Sequence, residues 1–268
     1  MPPGWNANKP STLKAIGAEI TMNYGVDKGF PAPKGVKVSQ TKISGSEKMK
    51  DNAGRTAEAS YELRSLVVTD AKGKKVTLQA GDKPEAVKKQ FLEDWRSSVK
   101  GYSKDDIKNY SPMLNYSTDS SFQGFGTAGS MMSVVESGSA YEGGAHPNNF
   151  SALETFDVRT GKQVELDSLV SAADFKKICN SVKNQLKTLK GKEDAEGIDG
   201  TTFGGSTMSD KDIADAVKKN FALSTDKNGK TTITIGWESG VHAMGPMMAL
   251  FKFDAPSDAA FKAKIGAQ

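Results

Sequence analysis

Residues 141–169 read YEGGAHPNNFSALETFDVRTGKQVELDSL. Phe156 and Val158 alternate with Asp157. The run RTGK over 159–162 then supplies a turn, and Val164 and Leu166 resume the alternation. Apolar residues at every second position mark a strand with one buried face, and a glycine-bearing tetrad between two such runs marks a hairpin. Asp157 is placed to brace the turn by accepting backbone hydrogen bonds. A hairpin is structural by default. Here it follows directly on two glycines and a histidine.

Outward from this hairpin the period changes repeatedly between two and about four. Residues 82–100 read as a helix. Asp82 and Glu85 have capping-box spacing, and Val87, Phe91, Trp95 and Val99 recur every fourth residue. Residues 172–189 read as a second helix. Ser171 and Asp174 stand at its start, and its stripe runs through Phe175, Ile178, Cys179, Val182, Leu186 and Leu189. Ser209 and Asp212 open a third helix that ends near Asn220, with Ile213 and Val217 on one face.

The remaining segments read as sheet or loop. Strands are expected over 18–24, 36–43, 61–69 and 75–79, the last two as a hairpin across a lysine-glycine turn. Residues 111–135 read as strands or a hairpin broken by Gly124, Gly126 and Gly129. The β-branched run TTITIGW follows Leu223 and the turn TDKNGK, and 247–253 is the last expected strand. Residues 25–35, 101–110 and 191–206 read as connections.

The fold class is therefore α+β, with antiparallel or mixed sheets covered by two or three helices. The chain divides into an irregular arm over 1–15, an α+β subdomain over 16–105 and a GGAH-containing α+β domain over 106–268. The 268 residues suffice for one large domain or two packed units.

Charge narrows the partners. The 36 basic and 32 acidic residues are interspersed, so no focused stripe for nucleic acid emerges. No run is long enough to cross a membrane. The start, MPPGWNANKP, has no basic region leading into an apolar one, so no signal peptide is read there. A mature terminus with an added Met1 and a cytoplasmic start both fit. Trp5, in this arm, is a candidate exposed anchor. Cys179 is the only cysteine, which excludes an internal disulfide and leaves the compartment open. Its place on a helix stripe gives it a packing role.

Chemistry-bearing motifs are few. Gly124, Gly126 and Gly129 lack the lysine and hydroxyl of a phosphate loop, and no GxSxG elbow occurs. The two histidines, His146 and His242, lie in YEGGAHP and GVHAMGP. Gly143 and Gly144 allow a sharp bend or a close backbone approach, and Pro147 holds His146 extended. Three readings stand for His146: a turn histidine bonded into the fold, a binding residue, or a catalytic one. Asn148, Trp237 and Met244 would add polar and apolar contacts if the two segments converged. Two histidines fall short of the three or four ligands that zinc usually takes, so neither a metal nor a cofactor is assigned.

The motifs YEGGAH and FDVRTGKQVELDSLV, with Phe221, Ala222, Leu223, the hairpin after them and the turn around His242, resemble a bacterial extracytoplasmic domain. That domain is found in lysozyme-sensing anti-sigma factors and beside peptidoglycan deacetylase domains. The resemblance spans roughly 110–254. It implies an exported, periplasmic or secreted α+β protein that binds an envelope protein or a peptidoglycan fragment. The segment GWESGVHAMGP departs from the commoner tyrosine- and proline-containing version, so no catalytic residue is carried over. The expected function is a non-enzymatic envelope binding module with Gly143, Gly144, His146, Asn148, Trp237, His242 and Met244 as ligand-binding residues. A cell-wall hydrolase or deacetylase and a purely structural envelope protein are the alternatives.

Overall fold

The computed structural model describes residues 13–15, 18–22, 29–78, 80–189, 208–238 and 247–267. They form a five-stranded antiparallel sheet packed between a group of helices and a curled, mixed seven-stranded sheet, and a further helix covers part of the larger sheet.

The large sheet has the order β3 (Lys37–Lys50), β4 (Thr56–Thr69), β6 (Tyr116–Ala128), β7 (Met131–Tyr141), β8 (Asn148–Asp157), β9 (Lys162–Gln163), and β5 (Lys75–Leu78) also pairs with β4. The long strand β4 splits its second edge. Its first half runs parallel to β6 and its last four residues pair with β5. The sheet thus bends around one concave face, filled by Leu66, Val68, Leu78, Met132, Val134 and Phe156.

The small sheet has the order β1 (Leu13–Ala15), β2 (Ala18–Met22), β12 (Met247–Asp254), β11 (Thr231–Glu238), β10 (Phe221–Thr225). Strict alternation decides its two faces. Ile233, Ile235, Trp237, Ala249 and Phe251 face α3 (Leu166–Leu169), α4 (Ala172–Leu189), α5 (Asp210–Lys219) and α6 (Ala259–Ile265) in the main core. Ala222, Met248 and Leu250 face Val135 and Leu153 of the large sheet. Both sheets draw strands from either side of residues 102–111.

Helix α1 (Pro84–Gly101) lies over β3 and β4 and buries Phe91, Leu92, Trp95 and Val99. Trp95 has no solvent exposure and donates from Nε1 to the Leu114 carbonyl at 2.9 Å. Truncating such an anchor to alanine costs ~3–5 kcal/mol.

Several expectations are met closely. α4 has the expected bounds, with Asp174 N–H and the Ser171 hydroxyl joined at its start. α5 opens on the expected Ser209/Asp212 capping box. Others are corrected. Asp82 does not cap α1. The helix starts at Pro84, behind Lys83, because proline's fixed φ and missing N–H suit the first helical position. Val87 is 37 % exposed and Leu92 takes its place in the buried stripe.

Residues 104–110, expected as a connection, form α2 (Lys104–Tyr110), which the Ser103/Asp106 capping box opens. The hairpin's second strand is Lys162–Gln163 rather than the expected 164–166, because Leu166 already opens a helix. Its turn holds as expected, with Arg159 N–H donating to Asp157 Oδ1 at 3.0 Å. α6 follows the strand expected to be last. Cys179 is partly rather than fully buried against the main core.

Candidate functional site

The β7–β8 connection carries the GGAH motif. Gly143 has φ +85°, and a Cβ there would stand 2.3 Å from the Met113 carbonyl oxygen. Glycine is therefore required twice over, by its dihedral and by the segment packed against it. The Tyr141 hydroxyl pins the turn by donating to the Gly144 carbonyl at 2.9 Å. His146 is exposed, and its Nδ1 lies 3.2 Å from the Pro147 carbonyl oxygen. Asn148, also exposed, begins β8 opposite Ala140. Tyr110 and Met113 are exposed beside this turn's supporting segment.

Of the other expected site residues, Trp237 is 5 % exposed and lies in the main core, on the helix-facing side of β11. It shares no environment with the exposed turn. His242 and Met244 lie outside the described residues, as does Trp5. Among the described residues, no three His, Cys, Asp or Glu side chains are grouped to hold a metal ion.

A second feature escapes the sequence reading. The concave face of the large sheet borders a partly open cavity of about 680 Å³. Its walls include Leu63, Leu78, Phe122, Phe150 and Phe156, with residues 80–85 and Val87 closing one side. Glu136 and Glu154 also line it.

The register explains why both carboxyls face the same way. Glu136 opposes Ala152, and Glu154 opposes Val134, so the two are diagonal neighbours on one face of the β7–β8 ladder. They share a hydrogen bond, and among the described residues no basic group contributes to holding either one. Burial pushes the Glu154 carboxyl up to about 9, and the neighbouring Glu136 charge and the hydrogen bond between them push the same way. Burial also raises Glu136, against the opposing effect of its bond to Glu154. At neutral pH the pair therefore holds a proton. Glu154 is 7 % exposed, and among the described residues its Oε2 receives no nitrogen or hydroxyl donor.

Asp119 borders the same cavity. Burial raises its carboxyl, with the Ser139 hydroxyl bond opposing the shift and the Glu62 charge adding to it. Arg64 lines the cavity too, but its guanidinium is bonded to Glu62 at 2.6 Å. The sequence signal for this site was one glutamate inside each of two apolar-rich runs, MMSVVESGS and SALETF, with Glu136 in step with Met132 and Val134 and Glu154 in step with Phe156.

No protein-family model matches this chain, and no curated protein matches it. Among solved structures, the chain is similar to a DUF3298 family member from Bacteroides fragilis, at 17% identity and a TM-score of 0.48, over 83% of this chain and 91% of that one. It is also similar to a DUF3298 family protein from Pseudomonas aeruginosa, at 12% identity and a TM-score of 0.35, over 83% of this chain and 88% of that one. The structural neighbours are thus bacterial proteins of a domain family of unknown function.

Proposed function

We propose that this protein is a non-enzymatic binding module of the bacterial cell envelope that holds a small wall-derived ligand in the concave cavity. The carrying observation is the buried Glu136/Glu154 pair at the cavity wall, with Glu154 Oε2 lacking a donor among the described residues. Burying carboxyls without a cation costs stability. A cost with no structural return points to a site whose remaining partner is a ligand. The envelope assignment is supported by the likeness of YEGGAH and FDVRTGKQVELDSLV to the extracytoplasmic domain named above. The exposed turn of Gly143, Gly144, His146 and Asn148 offers an outer contact surface on the same β7–β8 connection.

Binding suits the geometry better than hydrolysis. Glycosidases hold their two carboxyls ~5 Å or more apart to flank the scissile bond. Glu136 and Glu154 instead bond directly to one another. Titrating soluble peptidoglycan fragments into the isotopically labelled protein tests the reading. Saturable amide shifts at Phe122, Glu136, Phe150 and Glu154 are expected. Turnover of the fragments that disappears in His146→Ala would contradict it.

A further inference from the structure

We infer that the cavity on the concave sheet face takes a protonated amine carried on an apolar body, seated between the Glu136/Glu154 carboxyls and the rings of Phe122 and Phe150. The inference rests on the reading of this cavity as a binding site and names the ligand's chemistry.

The register assembles the elements of ammonium recognition on one face. Phe122 of β6 stands directly opposite Glu136 of β7. Phe150 of β8 stands opposite Gly138, and a Cβ on that glycine would lie 2.7 Å from the Phe150 ring. The missing side chain is what lets the ring lie across β7, one alternation along from Glu136. Two aromatic rings thus flank a carboxyl pair. Aromatic faces and carboxylates both attract a cation, the first through the ring quadrupole and the second through charge and hydrogen bonding.

The surrounding charge favours the same ligand. Among the described residues, the charged groups bordering the cavity are Arg64 from β4, Asp119 from β6, Glu136 and Glu154 from β7 and β8, and Asp82, Lys83 and Glu85 ahead of and within the start of α1. Acids outnumber bases, and Arg64 is already committed to Glu62. An anionic ligand would meet this field unfavourably, and a neutral one would leave Glu154 Oε2 without a charged partner.

Proton exchange follows. The carboxyl pair holds a proton at neutral pH, and an arriving ammonium favours the ionised form. Binding therefore releases that proton from the Glu154/Glu136 pair to solvent while the amine keeps its own. Affinity accordingly rises with pH until the pair is ionised in the free protein or the amine loses its charge.

Calorimetric titration of the full chain with phenethylamine, and with phenethyl alcohol as the neutral match, tests this. Repeating the titration in buffers of different ionisation enthalpy counts the protons released. Expected are saturable binding of the amine, release of up to one proton per amine at neutral pH, and weakening by roughly tenfold or more in Glu154→Gln. Phe150→Ala, at an exposed rim position, should weaken the amine as well. It keeps the test decisive if the buried substitution perturbs folding. If the alcohol binds as tightly as the amine, with no proton released, the ammonium assignment fails and the cavity remains a binding site. If neither probe nor any wall fragment binds, both readings fail.

Discussion

The hydroxyls of Ser133 and Thr155 lie 2.8 Å apart with no solvent contact, on the face of the large sheet turned toward the small one. Their partners fix the direction of the chain of bonds. Leu223 N–H donates to Ser133 Oγ at 2.8 Å, and the Thr155 hydroxyl donates to the Phe221 carbonyl at 2.8 Å. Ser133 therefore donates to Thr155. The free edge of β10 is satisfied by side chains of another sheet. The same device works in reverse on β8, where Asn220 Oδ1 accepts from Leu153 N–H at 2.7 Å and a Glu238 oxygen accepts from Ser151 N–H at 2.9 Å. Two strand edges that would otherwise expose backbone groups are closed without adding a strand.

Ser133→Ala interrupts that chain and leaves a buried N–H at Leu223. A loss of ~1–3 kcal/mol is expected in urea unfolding, the cost of an unsatisfied buried group. Thr155→Val should cost a similar amount by stranding the Phe221 carbonyl. The double variant should lose less than the sum, because the two residues share one network. Additive losses would mean that the hydroxyls act independently.

Glu154 ties stability to pH. Its folded value of about 9 lies above the ordinary glutamate value. The folded state therefore holds the proton more tightly than the unfolded chain does. The stabilisation is fully present below the unfolded value and is lost as pH rises toward 9. Glu154→Gln keeps a neutral group that can hydrogen-bond Glu136. It should flatten that slope and stabilise the protein at pH 8 by ~1–3 kcal/mol. Thermal melts of both proteins between pH 5 and pH 9 check this, and parallel curves would contradict it.

Helices were legible where a cap and a buried stripe coincided. Ser171 with Asp174 and Ser209 with Asp212 gave two starts, and the spacing of Ile178, Val182 and Leu186 gave the buried face of the longer helix. The same signals stand in a stretch expected as a connection and in residues beyond the last expected strand. Ser103 with Asp106 opens α2, and Asp258 with Phe261 and Ile265 forms α6. The cavity was not legible, because it arises from long-range pairing. The split edge of β4 curls the sheet, and a register shift between Gly124 and Gly126 sets β6 against β7. Gly124 and Gly126 mark an interruption in the sequence, but no local signal gives the resulting register or the split of β4. Trp237 reads differently once its strand is placed: it continues the Ile233 and Ile235 face, which the helices cover.

Cys179 packs against the main core but is only partly buried, and burial pushes its thiol above the ordinary range. The thiolate is the reactive form, so native labelling by a disulfide reagent near pH 8 should be slow compared with labelling in urea. Equal rates in the two conditions would show that the α4 stripe opens readily. Cys179→Ser should cost ~1–3 kcal/mol where the added hydroxyl finds no partner.

Gly143→Ala addresses the turn that carries His146. The φ of +85° disfavours any side chain, and the new methyl would meet the Met113 carbonyl oxygen at 2.3 Å. The backbone must move to relieve this contact, at a cost above the ~1 kcal/mol typical of a glycine replaced at an unsuitable dihedral. The strain falls on the 111–116 segment, whose Leu114 carbonyl accepts from Trp95 Nε1. The substitution should therefore lower the unfolding midpoint and alter the tryptophan environment together. Gly144→Ala serves as the control, because the nearest atom to its new methyl is the His146 carbonyl oxygen at 3.7 Å and its dihedral is ordinary. Gly144→Ala should leave stability within ~0.5 kcal/mol of the parent. Equal losses at the two glycines would show that turn flexibility, rather than the contact with Met113, sets the requirement.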